Sequence, residues 1–233
     1  MKFLYLLIDF FTIIIPLIFS YHPKIKFYKT WKAFFAASLV VTILFIIWDV
    51  LFTHLNVWSF NSRYITGIFF FNLPVEEVLF FISIPFSCVF TFFCLDKFYK
   101  LSWRPGPENI FCIFLSLSLL IIGLIFWDKW YTAASFISTA FLCLYLKFIY
   151  KISWFGKMIS IYAVLLIPFF IVNGILTGTG IAEPVVMYNN VENLHIRVLT
   201  IPVEDFVYGF ELVLLNVFFY KLFSKRFYAI EKY

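Results

Sequence analysis

Long apolar runs alternate with short polar connections along the whole chain. Several of these runs approach or exceed the roughly 18 residues that are typical of a transmembrane helix. The backbone inside a lipid bilayer must be helical or form a closed barrel, and the apolar positions do not alternate with the period of two that barrel strands show. We therefore predict seven transmembrane helices, at residues 3–20, 31–52, 74–93, 110–127, 131–149, 158–177 and 202–223.

The composition supports a membrane protein and excludes a water-soluble fold. Only 13% of the residues are charged, compared with about 25% in soluble domains, and 64% are hydrophobic. The net charge of +5 does not indicate nucleic-acid binding, since the basic residues are spread through short loops. The four cysteines have no metal-like or redox-like spacing. We predict an all-α integral membrane protein, and its first apolar run, which lacks a small-residue cleavage site, is predicted to be a mature helix.

The basic residues also predict the orientation. When the seven predicted helices alternate across the bilayer, fourteen of the 18 Lys and Arg residues fall in the connections and tail of one side. Basic loops stay in the cytoplasm, so this side is the cytoplasmic one. The sequence predicts a multi-pass protein of the inner (cell) membrane, with its N-terminus outside and its C-terminus in the cytoplasm.

One short motif occurs twice, each time directly before a long apolar run. Residues 73–77 read LPVEE, and residues 201–205 read IPVED. A second pair of matching segments precedes them, WDVLFT at 48–53 and VNGILT at 172–177. We predict two parallel three-helix repeats joined by a connector helix. The predicted units are residues 1–100, the connector 101–130, and residues 131–233.

Parallel repeats bring both acid pairs to one face of the membrane, so the predicted catalytic residues are Glu76, Glu77, Glu204 and Asp205. A proline followed by acids can also simply start and cap a helix. Ionisable groups at membrane depth, however, are functional candidates by default. If the pairs are sealed from water, one carboxyl can stay protonated and act as a general acid, while another acts as the base. At a wet interface they would only be ionised caps.

Further polar and aromatic residues are predicted to surround the acid pairs. Glu204, Tyr208 and Glu211 share one face of the last helix, whereas the place of Glu211 in the first repeat is taken by Ser83. For Glu211 both a functional role and a buried hydrogen bond to another helix are open. Ring faces can stabilise a cation. The predicted substrate-binding residues are Asp49, Trp48, Trp58, Asn173, Tyr208 and Glu211, and no metal site is predicted.

The two units with their proline–acid motifs resemble the membrane-integral lycopene cyclases of the heterodimeric type, in their fused two-unit form. The resemblance implies cyclisation of the linear ψ-ends of lycopene to β-rings, an isomerisation by an intramolecular lyase without cofactor. A carboxylic acid would protonate the terminal double bond, the neighbouring double bond would attack the cation, and a base would remove a ring proton. The chain has no Gly-x-Gly-x-x-Gly fingerprint for a dinucleotide. The implied partners are lycopene, membrane lipid and other enzymes of carotenoid biosynthesis, but not nucleic acid.

A small proton- or cation-coupled transporter is the alternative interpretation, because such proteins also place carboxylates at a repeat interface. The repeats lack matching glycine or proline breaks in the middle of their helices, which argues against it. If the chain is a cyclase, the sequence predicts that Glu76→Gln and Glu204→Gln each abolish turnover in a folded protein.

Overall fold

The computed structural model describes residues 2–229, and seven helices form most of them. Six of the helices in this part of the chain are long and apolar enough to cross a membrane, and α1 is a shorter apolar helix. The predicted all-α membrane fold is therefore confirmed. The helices are α1 Leu4–Phe19, α2 Trp31–His54, α3 Val75–Phe98, α4 Pro105–Ile125, α5 Trp130–Leu144, α6 Phe155–Leu176 and α7 Val203–Ala229. A 3-10 turn, Phe27–Thr30, precedes α2, and a π-helical turn, Tyr145–Ile149, continues α5.

Several helices extend beyond the apolar runs that predicted them. α3 continues to Phe98 and α7 to Ala229, because a helix does not end where its lipid-facing part ends. Asp96, in the extra turn of α3, accepts hydrogen bonds from the amines of Lys157 and Lys221. Lys232, which the sequence assigned to the basic tail, lies outside the described residues.

Six very short strands occupy the connections that precede α3 and α7. β2 Phe69–Phe70 and β3 Leu73–Pro74 form one hairpin, and β5 Arg197–Val198 and β6 Ile201–Pro202 form the matching one. Pro74 and Pro202 therefore close strands, and each helix begins one residue later than predicted. The extended backbone of Pro74, with ψ at 149°, explains this shift, since the residue has not yet entered the helical conformation.

The remaining two strands pair across the repeats and define an approximate two-fold axis. β1 Trp58–Phe60 runs antiparallel to β4 Val186–Tyr188, with Ser59 opposite Met187 at the centre. These central residues are 128 positions apart, as are the two acid motifs. The flanking backbone bonds are reciprocal: Asn61 N–H to the Val185 carbonyl and Asn189 N–H to the Val57 carbonyl, both 2.9 Å. The third helices of the two repeats, α3 and α7, both begin at this end of the bundle, so the repeats are parallel, as predicted.

The third helix of each repeat lies at the centre of the bundle. α3 packs against α1, α2, α6 and α7, and α7 also packs against α2 and α5. The connector α4 lies along α5, where Gly123 permits close approach: a Cβ at this position would come within 2.8 Å of Ile137 Cγ1. Because α3 and α7 are in contact and point the same way, the acid motifs at their N-terminal ends meet inside the bundle.

Candidate active site

The four acidic residues of the two motifs are all buried in the first turns of α3 and α7. Neighbouring residues of a helix point about 100° apart, so the two members of each pair face different surroundings. The first member faces the preceding loop, and the second faces the space between the helices. This division gives the carboxylates two distinct environments.

Glu76 and Glu204 bind the backbone of the connection that leads into their helix. Glu76 Oε1 accepts a hydrogen bond of 2.6 Å from the Thr66 N–H. Glu204 Oε1 accepts one of 2.7 Å from the Leu194 N–H and one of 2.6 Å from the Thr132 hydroxyl. Both therefore fix a loop to a helix start, instead of capping the N–H groups of their own helix.

Glu77 and Asp205 face the interior, and each accepts a short hydrogen bond from a tyrosine. The Tyr5 hydroxyl donates to Glu77 Oε2 and the Tyr131 hydroxyl donates to Asp205 Oδ1, both at 2.6 Å. Both tyrosines are 1% exposed, and each is the second residue of the first helix of its repeat. The sequence prediction missed this pair, although their matching positions at the starts of helices one and five were a visible signal.

The second helix of each repeat contributes one further polar side chain, as the alignment of Asp49 with Asn173 predicted. The Asp49 carboxyl lies beside the carboxyl of Glu77, close enough for a hydrogen bond between them when one is protonated. The Asn173 amide instead donates to Asp205 Oδ2 at 3.2 Å. A hydrogen bond between two carboxyl groups requires a proton on one of them, whereas an amide can donate to a carboxylate. The two halves therefore differ: the first pairs two carboxyl groups, and the second pairs a carboxyl group with an amide.

Two more tyrosines complete the site and strengthen this difference. The Tyr208 hydroxyl donates to Asp49 Oδ1 at 2.8 Å, and the Tyr188 hydroxyl donates to Asp205 Oδ2 at 3.1 Å. The equivalent positions of the other repeat, 128 residues away, hold phenylalanines, Phe80 and Phe60.

Tyr188 lies in β4, outside the spanning helices, and it was not predicted from the sequence. Burial, followed by the negative charge of Asp205, raises the pKa of the Tyr188 hydroxyl well above its usual range. Tyr188 therefore remains a neutral donor, and Asp205 accepts hydrogen bonds from three side chains. Bonds to the charged form favour it and offset part of the cost of its burial.

An elongated cavity of about 760 Å³ lies between α1, α3, α6 and α7, and the polar groups are at one end of it. This volume is within the range of small-molecule sites, roughly 300–1,000 Å³. Most of the wall is apolar. The polar and aromatic side chains that line this end are those of Tyr5, Asp49, Trp58, Glu77, Tyr131, Asn173, Tyr188, Asp205 and Tyr208.

The structure brings most of the predicted site residues to this cavity, but not all of them. Glu76 and Glu204 are turned away from it, as described above. Trp48 lies behind Tyr208, with 5.6 Å between the ring centroids. Glu211 binds α5 through the hydroxyl groups of Ser138, at 2.7 Å, and Thr139, at 3.0 Å. The catalytic and binding roles of all these residues stay predictions.

Replacing Glu204 tests whether it serves the loop or the chemistry. Glu204→Gln keeps an oxygen acceptor for the Leu194 N–H, so we expect near-native stability and turnover. Glu204→Ala leaves the Leu194 N–H and the Thr132 hydroxyl without this acceptor, which should lower the free energy of unfolding by about 1–3 kcal/mol. Thermal unfolding of the purified variants in detergent measures the difference. Loss of turnover in a stable Glu204→Gln protein would instead support the catalytic role that the sequence predicted.

The fold and the site together define a class: an integral membrane protein of two helical repeats, with a buried carboxyl–tyrosine site between them. A family model described as lycopene cyclase matches residues 2–95 and 128–223. The chain therefore belongs to the lycopene cyclase family, and the matched segments coincide with its two repeats. No curated protein and no solved structure gives a significant match.

Proposed function

We propose that this protein cyclises the linear ψ-ends of lycopene to β-rings, with Asp49, Glu77 and Asp205 as its acid and base groups. Membership of the lycopene cyclase family supports carotenoid cyclase activity. The observation that carries the mechanism is that these three carboxyl groups reach the same end of one apolar cavity.

The Asp49–Glu77 pair is the proposed general acid. A hydrogen bond between these neighbouring carboxyl groups needs one shared proton. The Tyr5 hydroxyl donates to an oxygen of Glu77, and the Tyr208 hydroxyl donates to an oxygen of Asp49. Two nearby carboxyl groups in a poorly solvated site disfavour double ionisation, which keeps the proton available. A terminal double bond at the wall of the cavity would receive this proton.

The reaction then proceeds without any change in oxidation state. The proton of the acid forms a C–H bond with the terminal double bond, which leaves a tertiary carbocation. The neighbouring double bond attacks this cation, so one C–C bond closes the ring and the positive charge moves to a ring carbon. A base removes a proton from the adjacent ring carbon, and the electrons of that C–H bond form the ring double bond. The product is an isomer of the substrate.

Asp205 is the proposed base. Its three hydrogen-bond donors, Tyr131, Tyr188 and Asn173, hold both oxygens in place and favour the carboxylate form. It lines the same cavity as Glu77. One substrate end can therefore contact the acid on one side of the pseudo-two-fold axis and the base on the other.

Aromatic rings surround the place where the cation would form. Trp58 lies at the centre, with ring-centroid distances of 5.1 Å to Tyr131 and 6.2 Å to both Tyr188 and Tyr208. Faces of aromatic rings attract a positive charge and do not react with it as water would. Their packing also explains how carboxyl groups at the end of a bundle can be withdrawn from solvent.

We further propose that the carboxyl end of the bundle lies on the outer side of the inner membrane. This orientation follows from the basic loops at the opposite end, and it places the N-terminus outside and the C-terminus in the cytoplasm.

Conversion of purified lycopene by membranes that contain the protein tests the proposal. We expect a cyclised product of unchanged mass in H2O and, in D2O, the gain of at most one deuterium per ring. Each ring forms with the addition of one proton and the loss of another, which sets this limit. Mass spectrometry of the extracted pigments gives both values. Unaltered lycopene in the presence of well-folded protein would contradict the cyclase function, and a mass change in H2O would contradict the isomerisation.

A further inference from the structure

We infer that the long apolar part of the substrate binds in a groove along α1, α3 and α6 and reaches it sideways from the lipid, between α1 and α6. This inference rests on the proposed cyclase function and identifies where the unreacted part of the carotenoid lies. It concerns the part of the cavity that extends away from the carboxyl groups.

One stripe of α3 forms the floor of the groove. Glu77, Phe80, Ile84, Cys88 and Thr91 all line the cavity and recur at the spacing of a single helix face. Glu77 and Thr91 are fourteen residues apart, so the floor is about 21 Å long at 1.5 Å per residue. A narrow apolar groove of this length fits a rod-like polyene whose end is at the carboxyl groups.

The two walls of the groove are also the helices that face the lipid. Phe11 and Ile15 of α1 line the cavity and yet are 64% and 61% exposed, and Ile171 of α6 lines it and is 62% exposed. No residue of α6 between 166 and 173 is buried. Side chains that contact both the cavity and the exterior indicate that only a thin layer separates the groove from the bilayer.

A proline interrupts the hydrogen bonding of each wall helix. Pro16 of α1 and Pro168 of α6 lie inside their helices and line the cavity. Such a proline removes one helical hydrogen bond and makes bending easier. The Thr12 carbonyl, which Pro16 cannot bind, accepts a hydrogen bond of 2.9 Å from the Ser87 hydroxyl of α3. α1 is thus tied to the floor, and its backbone oxygen stays satisfied beside an apolar ligand.

Within the described residues, the second repeat has no such space beside its third helix: the contact that matches α3–α6, between α7 and α2, is closely packed. Ala33, Ala37, Val41 and Phe45 of α2 are at most 2% exposed and recur every four residues. Small side chains in this pattern let two helices approach closely in a membrane. The groove therefore lies beside α3, whereas α2 occupies the matching space beside α7.

The groove also determines how many ends can react in one binding event. When one end of the polyene contacts Glu77, the part beside Thr91 is already about 21 Å away, and the other end lies farther still. The second end therefore cannot reach the carboxyl groups until the molecule has left and returned in the opposite direction. Each binding event closes one ring.

Labelling at the mouth of the groove tests the entry route. Leu7 of α1 lines the cavity and is 48% exposed, and Leu51 of α2 is 54% exposed and is not part of the lining. Each is three residues from the end of its helix at the carboxyl side of the bundle. The test uses two variants, Leu7→Cys and Leu51→Cys, each in a Cys88→Ser background that removes the thiol of the groove. Both are reacted with pyrene maleimide, and mass spectrometry gives the extent of labelling.

We expect labelled Leu7→Cys to form the first ring at least ten-fold more slowly than its unlabelled form, and labelled Leu51→Cys to keep the rate of the background. With lycopene in large excess over protein, a product with one new ring should accumulate first, and its molar amount should exceed that of the protein. Full activity of labelled Leu7→Cys would overturn the entry route, and a two-ring product without free one-ring product would overturn the single-end binding. An inactive wild-type protein that still co-purifies with lycopene would contradict the cyclase function, while loss of bound lycopene on Leu7→Cys labelling would still support the groove.

Discussion

Glu77→Gln is expected to lower the rate of ring formation by about 10²- to 10⁴-fold, the usual contribution of general acid–base catalysis. Glutamine keeps an oxygen that accepts the hydrogen bond from Tyr5, and its amide can donate to Asp49, so the packing around residue 77 should persist. Glutamine cannot hold or release the acidic proton. Pigment analysis at equal amounts of folded protein measures the effect.

Tyr5→Phe is the matched control for this variant. It removes one donor to Glu77 but leaves both carboxyl groups in place, so its rate should fall far less than that of Glu77→Gln. Equal losses in both variants would mean that the hydrogen-bond geometry, and not the proton of the carboxyl pair, limits the reaction. Wild-type turnover of Glu77→Gln would exclude this residue as the acid.

Asp205→Asn should also lower ring formation by about 10²- to 10³-fold, but at a different step, because an amide cannot accept the ring proton. The acid pair is intact in this variant, so the substrate should still be protonated, and the cation that cannot lose its ring proton should return a proton to the pair. In D2O we therefore expect unreacted lycopene recovered from the Asp205→Asn reaction to contain deuterium. Lycopene recovered from the Glu77→Gln reaction should contain none. Mass spectrometry of the recovered substrate distinguishes the two roles.

Tyr188→Phe controls for the geometry of Asp205, since it removes one of three donors and leaves the carboxylate. Its loss of rate should be smaller than that of Asp205→Asn, and its recovered lycopene should not be enriched in deuterium. Deuterium in the substrate of Glu77→Gln and none in that of Asp205→Asn would reverse the assignment of acid and base.

Asp49 explains why the two halves are expected to differ despite their common fold. It occupies the position that Asn173 has in the second repeat, and this single difference turns an amide–carboxylate contact into a carboxyl–carboxyl contact. The sequence alignment identified both residues as a matched pair. The different effects of these two residues on protonation follow only from the structure, in which Asp49 lies beside Glu77 and Asn173 lies beside Asp205.

Hydropathy and the recurrence of one motif were sufficient to predict the membrane-spanning helices and the parallel repeats, and the family followed from the resemblance of these motifs to those of known cyclases. These features depend on residues that are close in sequence, since the bilayer requires a helix wherever a long apolar run occurs. The repeat also predicted which ends of the helices meet. The same reasoning treated the two acids of each motif as equivalent, because the sequence does not show which surroundings each of two adjacent side chains faces.

The tertiary structure decided which acid faces the cavity and which faces a loop. It directs Glu76 and Glu204 to backbone N–H groups and Glu77 and Asp205 to the substrate space, and it adds Tyr5, Tyr131 and Tyr188 from distant segments. The physical reason is that a helix turns by about 100° per residue, so the partner of each carboxyl group depends on what packs against that side of the helix. The contacts of Glu77 with Tyr5 and of Asp205 with Tyr131 join residues 72 and 74 positions apart, which no local pattern encodes.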